Sequence, residues 1–260
     1  MKNKKFNIII LAAGQGSRLR PLTNKKPKCM VEIKGKTILS RQIEVLKTQK
    51  EIDKIFLVGG YMQEKLPKDN IKIIVNEQYK YTNMLWSLFC ASKKLQNNII
   101  VSYGDIIYSK EILNKIINDK SDISITIDMN WRKYWEKRFY NPLSDAETLK
   151  VDNHNNLLEI GKKPLSYNDI EGQYMGLIKL NSKGCKIFNE LFLSLKFKEK
   201  TIKNKPFEEC FLTDFLQFIL EKGYQIKCIP VYSDWVEVDS VNDLHLNETI
   251  YRIENIEKNL

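Results

Sequence analysis

The sequence predicts an α/β protein built on a mixed, mainly parallel sheet flanked by helices, with a smaller β-rich part in its second half. Three observations carry that expectation. Short apolar runs alternate with amphipathic stretches over roughly the first 120 of 260 residues. The first run leads directly into a glycine-containing loop. Beyond residue 121 the pattern turns to alternating strands and a hairpin. A chain of 260 residues with 43% hydrophobic content buries a sizeable core. We read 1–260 as one domain, with a ligand-binding half over about 1–120 and a second half over about 121–260 that ends in a charged helix.

Taken in order, residues 6–12 form an apolar run of strand length, followed by a polar loop holding Pro21 and Pro27. A short extended piece at 31–33 and the turn Lys34-Gly35-Lys36 lead into 37–47, where Ile38, Leu39, Ile43 and Leu46 fall near helical spacing. Residues 54–58 and 71–75 read as buried strands, 83–95 as a helix with Leu85, Leu88 and Phe89 inward, and 98–102 as a strand stopping at Tyr103-Gly104-Asp105. In the second half, 122–128 alternates, 131–138 is aromatic and basic, and 149–160 reads as a hairpin turning at 152–156. A strand at 174–180, helices at 183–195 and 208–222, a strand at 225–230 and a terminal helix complete the chain. In such Rossmann-like sheets ligands sit beyond the carboxyl ends of the strands, where the loop 14–18 and Asp105 fall.

Composition narrows the partners. No apolar run reaches the roughly 18 residues that span a bilayer. The basic start Met1-Lys2-Asn3-Lys4-Lys5 precedes an apolar run without a cleavage signature, so a cytoplasmic protein with no membrane partner is expected. The five cysteines, Cys29, Cys90, Cys185, Cys210 and Cys228, include no CxxC pair, which argues against a zinc site or a disulfide framework. The charge of +10 is spread along the chain with no RNP, zinc-finger or basic-helix signature, so no nucleic-acid partner is expected. A basic mouth for a polyphosphate is the better use of part of that field.

The loop in LAAGQGSRLRPLTNKKPKCMVEI, residues 11–33, admits three readings. A Walker loop needs Gly-Lys-Ser/Thr at its end, whereas Gly16 precedes Ser17-Arg18. A dinucleotide fingerprint needs a third small residue and an immediate helix, whereas position 19 is Leu19 and two prolines oppose a continuous helix. What remains is a cradle of backbone N–H groups at Ala13, Gly14 and Gly16, joined by the Arg18 fork and the Lys28 point charge.

LAAGxGSRLxPLT followed by PKxM resembles the nucleotidyltransferases that join an NTP to a phosphorylated acceptor and release pyrophosphate. The resemblance implies their GT-A-like version of the fold. It implies a nucleotide-binding set of Leu11, Ala12, Ala13, Gly14, Gly16, Ser17 and Arg18, with Lys28 stabilising charge at the α-phosphorus. It also implies Mg2+ on Asp105 and on Asp239 of Trp235-Val236-Glu237-Val238-Asp239-Ser240, so that Arg18, Lys28, Asp105 and Asp239 are the expected catalytic residues. Where hexose-1-phosphate members carry a Gln-Pro-x-Gly-Leu-Ala-like stretch, this chain has NEQYKYTNMLWSL, which is similar to the phosphocholine cytidylyltransferase group. CTP is then the implied nucleotide, with Thr82 and Asn83 as contacts to cytosine or, equally, as a helix N-cap.

The segments WRKYWEKRFYNPLSDAETLKV, IGKKP and EGQYMGL resemble the same cytidylyltransferases, and more closely the branch that uses phosphoglutamine in capsular phosphoramidate synthesis. The implied acceptor is a small amino-bearing phosphorylated or phosphonate compound: phosphocholine, phosphoglutamine or 2-aminoethylphosphonate. Trp86, Trp131, Trp135, Tyr174 and Trp235 could wall a choline cage or belong to the core. Asp145, Glu147 and Glu171 suit an ammonium, and Arg138, Lys162 and Lys163 an acid group, unless they are solvated surface. Trp131, Arg138, Glu147, Lys162, Glu171, Gln173 and Tyr174 are therefore the expected acceptor-binding set. A sugar-1-phosphate nucleotidyltransferase and a catalytically silent nucleotide-binding homologue are the alternatives. The oligomeric state leaves no signature in the sequence.

Overall fold

The computed structural model describes residues 4–260. The first strand, β1 (Phe6–Ala12), is apolar but for Asn7 because both its faces are covered. Phe6, Ile8 and Ile10 point into one hydrophobic cluster, and Ile9 and Leu11 into the other. Helix α1 (Ile38–Lys47) starts at Thr37, whose hydroxyl accepts from the Ser40 N–H at 3.0 Å. Strands β2 (Ile52–Gly59) and β3 (Ile71–Val75) follow. Helix α2 (Met84–Cys90) is shorter than the expected 83–95, since the chain tightens at Ala91 into a single 3-10 turn. Next come β4 (Ile99–Tyr103), β5 (Ile106–Tyr108) and α3 (Lys110–Asn118), a helix the sequence reading did not anticipate. Its apolar residues Ile112, Leu113, Ile116 and Ile117 do follow helical spacing, and Ser109 caps it.

Strand β6 (Ile123–Asp128) precedes α4 (Trp131–Arg138), then the hairpin of β7 (Leu149–Val151) and β8 (Leu157–Ile160). After β9 (Gln173–Leu180) come α5 (Ser182–Ser194), α6 (Leu212–Glu221), β10 (Lys227–Val231), β11 (Trp235–Glu237), α7 (Val241–His245) and α8 (Asn247–Lys258). The seven-stranded sheet runs β10-β6-β9-β4-β1-β2-β3, and β9 alone is antiparallel to its neighbours. The mixed, mainly parallel sheet flanked by helices is thus the observed architecture. Lys179, next to last in β9, is buried and is held by Asp119 at 2.8 Å and by the Ser121 carbonyl at 2.6 Å.

One small ribbon decides where the functional groups meet. β5 pairs antiparallel with β11, with Ile106 opposite Glu237, and the Val238 N–H donates to the Asp105 carbonyl at 3.0 Å. Trp235 anchors the ribbon in the core, its indole N–H donating to Asp128 at 2.8 Å. Asp105 and Asp239, remote in sequence, are thereby held side by side. All five cysteines are free, and burial pushes the Cys29, Cys185 and Cys228 thiols up to about 12. Among the described residues no helix is long and apolar enough to cross a membrane.

Candidate active site

A cavity of about 630 Å3 opens at the carboxyl ends of β1 and β4, as expected for a parallel sheet. Leu11, Ala12, Ala13, Gly14, Gly16, Ser17, Arg18 and Lys28 line one wall, and Thr82, Asn83 and Asp105 lie along it. The two glycines have different reasons to be there. Gly16 adopts φ +61°, and a Cβ on it would meet Lys28 Cβ at 2.9 Å, so the turn itself requires glycine. An added Cβ on Gly14 meets nothing within 4 Å, so the fold leaves that position free and the space above it belongs to the cavity. The Thr23 hydroxyl donates to the Gly16 carbonyl at 2.8 Å and holds the turn.

Lys28 begins a 3-10 turn immediately after Pro27 and reaches between two carboxylates, Asp105 at 2.6 Å and Asp239. Burial works against its ammonium, but those two carboxylates outweigh it, and its pKa is raised. Arg18, largely exposed, pairs with Asp239 at 3.0 Å and approaches Asp145 at 4.0 Å.

Asp105, Glu237 and Asp239 present carboxylate oxygens within 4.8 Å of one another. Sequence reasoning missed Glu237, although Glu237 and Asp239 stand two residues apart on an extended segment and so share a face. Burial first, then repulsion from Asp239, pushes Glu237 up to about 8 despite Arg138. For Asp239 burial is outweighed by Lys28, and its carboxyl lies below the usual range. A buried oxygen of Asp105, Oδ1, has no hydrogen-bond partner. Three hard oxygen donors with one unsatisfied atom suit a divalent cation such as Mg2+.

The rest of the lining includes Tyr103, Trp135, Asp145, Glu147, Gln173, Tyr174, Phe211 and Thr213. Glu147, Gln173 and Tyr174 of the expected acceptor-binding set are therefore at the cavity. Four others are not. Arg138 has a fully buried side chain that donates to Glu237 at 2.6 Å and to Asp243 at 3.0 Å and lies 3.9 Å from Asp239, so it supports the carboxylate cluster from behind. Trp131 packs into the core against Trp135 and Tyr167. Lys162 pairs on the surface with Glu159. Glu171 accepts from the Val151 N–H at 2.8 Å and faces Lys150.

Lys163 likewise binds the Ser144 carbonyl, and Trp86 and Trp235 are packed in the two clusters. Asn83 caps α2 and also lines the cavity, while the Thr82 hydroxyl accepts from Asn76 at 3.0 Å. The cap and cavity positions coexist. Tyr103, Phe211 and Thr213 escaped the sequence reading because no local pattern marks them: each reaches the cavity only through the sheet order or the packing of α6.

Residues 8–144 match the family described as the MobA-like NTP transferase domain. The chain belongs to this family. A CTP:phosphoglutamine cytidylyltransferase from Campylobacter jejuni subsp. jejuni is 40% identical over 254 residues, covering 93% of this chain and 98% of that protein. Among solved structures, the CTP:phosphocholine cytidylyltransferase from Streptococcus pneumoniae superimposes with a TM-score of 0.72 at 21% identity, covering 95% of this chain and 99% of its own. The inositol-1-phosphate CTP transferase from T. maritima gives 0.74 at 20% identity, covering 100% and 99%. These two likenesses concern the nucleotidyltransferase fold.

Proposed function

We propose that the protein transfers CMP from CTP to a small amino-bearing phosphorylated acceptor and releases pyrophosphate, with phosphoglutamine as the leading acceptor. The observation that carries this reading is the 40% identity, over 98% of its length, to the CTP:phosphoglutamine cytidylyltransferase. The cavity supports it by bringing the glycine turn, Arg18 and Lys28 together with carboxylates and aromatic residues in one lining.

In this reading the N–H groups of the 13–16 turn and the Arg18 guanidinium bind the triphosphate. Lys28 neutralises charge developing at the α-phosphorus. An acceptor phosphoryl oxygen attacks in line. It is already ionised near neutral pH, so the residues need only align it, and neither His154 nor His245 lines the cavity. Asp105, Asp239 and Glu237 would hold Mg2+, which supplies charge neutralisation on the phosphates when bound. Arg138 keeps Glu237 and Asp239 in place. Thr82 and Asn83, which line the cavity, would contact the nucleobase. A cell-surface polysaccharide or lipid decoration is the expected use of a product of this kind, in the cytoplasm.

The test is pyrophosphate release from CTP, UTP, ATP and dTTP, each with phosphoglutamine, phosphocholine, 2-aminoethylphosphonate and glucose 1-phosphate. Turnover restricted to CTP with an amino-bearing acceptor is expected. Turnover of UTP or dTTP with glucose 1-phosphate would replace the reading with a sugar-1-phosphate nucleotidyltransferase.

A further inference from the structure

We propose that Glu147 is the seat of a primary ammonium group on the acceptor, and that it makes the protein select primary-amine acceptors over trimethylammonium ones. The inference deepens the cytidylyl-transfer reading and rests on it.

Arg18 and Lys28 are the cations among the lining residues of the cavity, and both are committed to the carboxylate cluster: Lys28 lies between Asp105 and Asp239, and Arg18 pairs with Asp239. Asp145 and Glu147 line the cavity outside that cluster. Asp145 is already engaged: the Trp135 indole N–H donates to it at 3.1 Å, and Arg18 approaches it. Glu147 is different. It forms no ion pair among the described residues, and its carboxylate receives one long hydrogen bond, from the Thr213 hydroxyl at 3.3 Å.

Its backbone, by contrast, is gripped on both sides by Gln173. The amide oxygen of that side chain accepts from the Glu147 N–H at 3.3 Å, and its Nε2 donates to the Glu147 carbonyl at 2.6 Å. Burial pushes the Glu147 carboxyl above its ordinary value; the Thr213 hydrogen bond and the Lys205 charge oppose the shift, and the Asp214 and Asp145 charges add to it. The fold thus fixes the position of a partly buried carboxylate and leaves it short of donors. A ligand that brings a positive charge and N–H groups relieves both deficits.

The same lining argues against a quaternary ammonium. That group offers no N–H and is held by enclosing aromatic faces. Trp86, Trp131 and Trp235, which could have closed such a cage, are packed away from the cavity. Of the aromatics that line it, Trp135 is tied by its indole to Asp145, Tyr103 and Tyr174 meet edge to face at 5.6 Å, Tyr79 meets Tyr61 edge to face, and Phe211 is exposed to solvent rather than enclosed. A carboxylate flanked by the Thr213 hydroxyl is a hydrogen-bonding seat.

The experiment compares two matched pairs, phosphoglutamine against its N-trimethyl derivative and O-phosphoethanolamine against phosphocholine. Each is measured by kinetics with CTP and by direct calorimetric titration. A charge-assisted hydrogen bond is worth about 1.5–3 kcal/mol, or roughly 10- to 150-fold. In the wild type the primary amine of at least one pair should bind more tightly than its trimethyl partner by a factor in that range.

Glu147→Gln should raise the acceptor KM by a similar factor, leave the CTP KM within about twofold, and bring the two members of a pair within about threefold of each other. Glu147→Asp, which keeps the charge, should retain part of the discrimination. The inference is overturned if Glu147→Gln keeps the preference, if the trimethyl compounds bind as well as the primary amines, or if neither pair binds. Failure of CTP turnover with every acceptor would instead remove the cytidylyl reading, and the calorimetric comparison would still decide the role of Glu147.

Discussion

The two walls of the cavity are built in different ways. The glycine wall comes almost entirely from one stretch, residues 11–18 with Lys28, where a strand end, a turn and a proline-led 3-10 turn follow one another. The other wall, the rest of the lining, is drawn from β4, α4, the segment after it, β9 and the start of α6. A wall made by consecutive residues is governed by local backbone geometry. A wall assembled from five elements depends on sheet order and helix packing, and its residues carry no common spacing. In the proposed reaction the donor end would therefore be a fixed clamp, and the acceptor end a surface where single side chains set selectivity.

The comparison can be broken or sharpened by substitution. The largest expected effect is at the carboxylate cluster: Asp105→Asn should lower kcat by roughly 10^3-fold, on the scale of the several kcal/mol that a metal contributes to charge stabilisation, with the thermal midpoint little changed. Next, Arg138→Met should destabilise the fold by about 3–5 kcal/mol in urea unfolding, because it removes the ion-pair partner of the buried Asp243 carboxylate and the donor to Glu237. If Arg138 contacted the acceptor instead, the loss would appear in acceptor KM with stability intact.

The two glycines should then separate. Gly16→Ala should lower stability by about 1 kcal/mol, since its left-handed backbone and the Lys28 contact oppose a Cβ. Gly14→Ala should leave stability unchanged and raise the CTP KM. The smallest effect belongs to Lys162→Ala and Glu171→Ala, with stability within about 0.5 kcal/mol and kinetics unaltered, as their surface pairs lead one to expect.

The same contrast explains what could be read from the amino acids alone. The parallel strands were legible because strands buried on both faces are continuous apolar runs, as in Phe6–Ala12. The residues of the glycine wall were legible because the distinguishing features, Leu19 in place of a third glycine and prolines at 21 and 27, lie within a few residues of one another. Arg138 and Trp131 misled for a physical reason. A charged or aromatic residue is recognised as ligand-facing only once its side of the helix is known, and α4 turns Arg138 toward Glu237 and Asp243 rather than into the cavity. Glu237 was missed because its proximity to Asp105 depends on β5 pairing with β11, a contact between distant segments. Helix α3 shows the opposite case, a local pattern that was present in Ile112, Leu113, Ile116 and Ile117 and was overlooked.

The central claim is that the glycine wall and the carboxylate cluster join CMP to an amino-bearing phosphorylated acceptor. The most direct measurement is a phosphorus NMR time course on the wild-type protein with CTP, Mg2+ and phosphoglutamine. The account predicts loss of the CTP and phosphoglutamine signals together, with a CMP-linked product and pyrophosphate appearing in equal amounts. Unchanged CTP, or pyrophosphate released without any CMP-linked product, would contradict it.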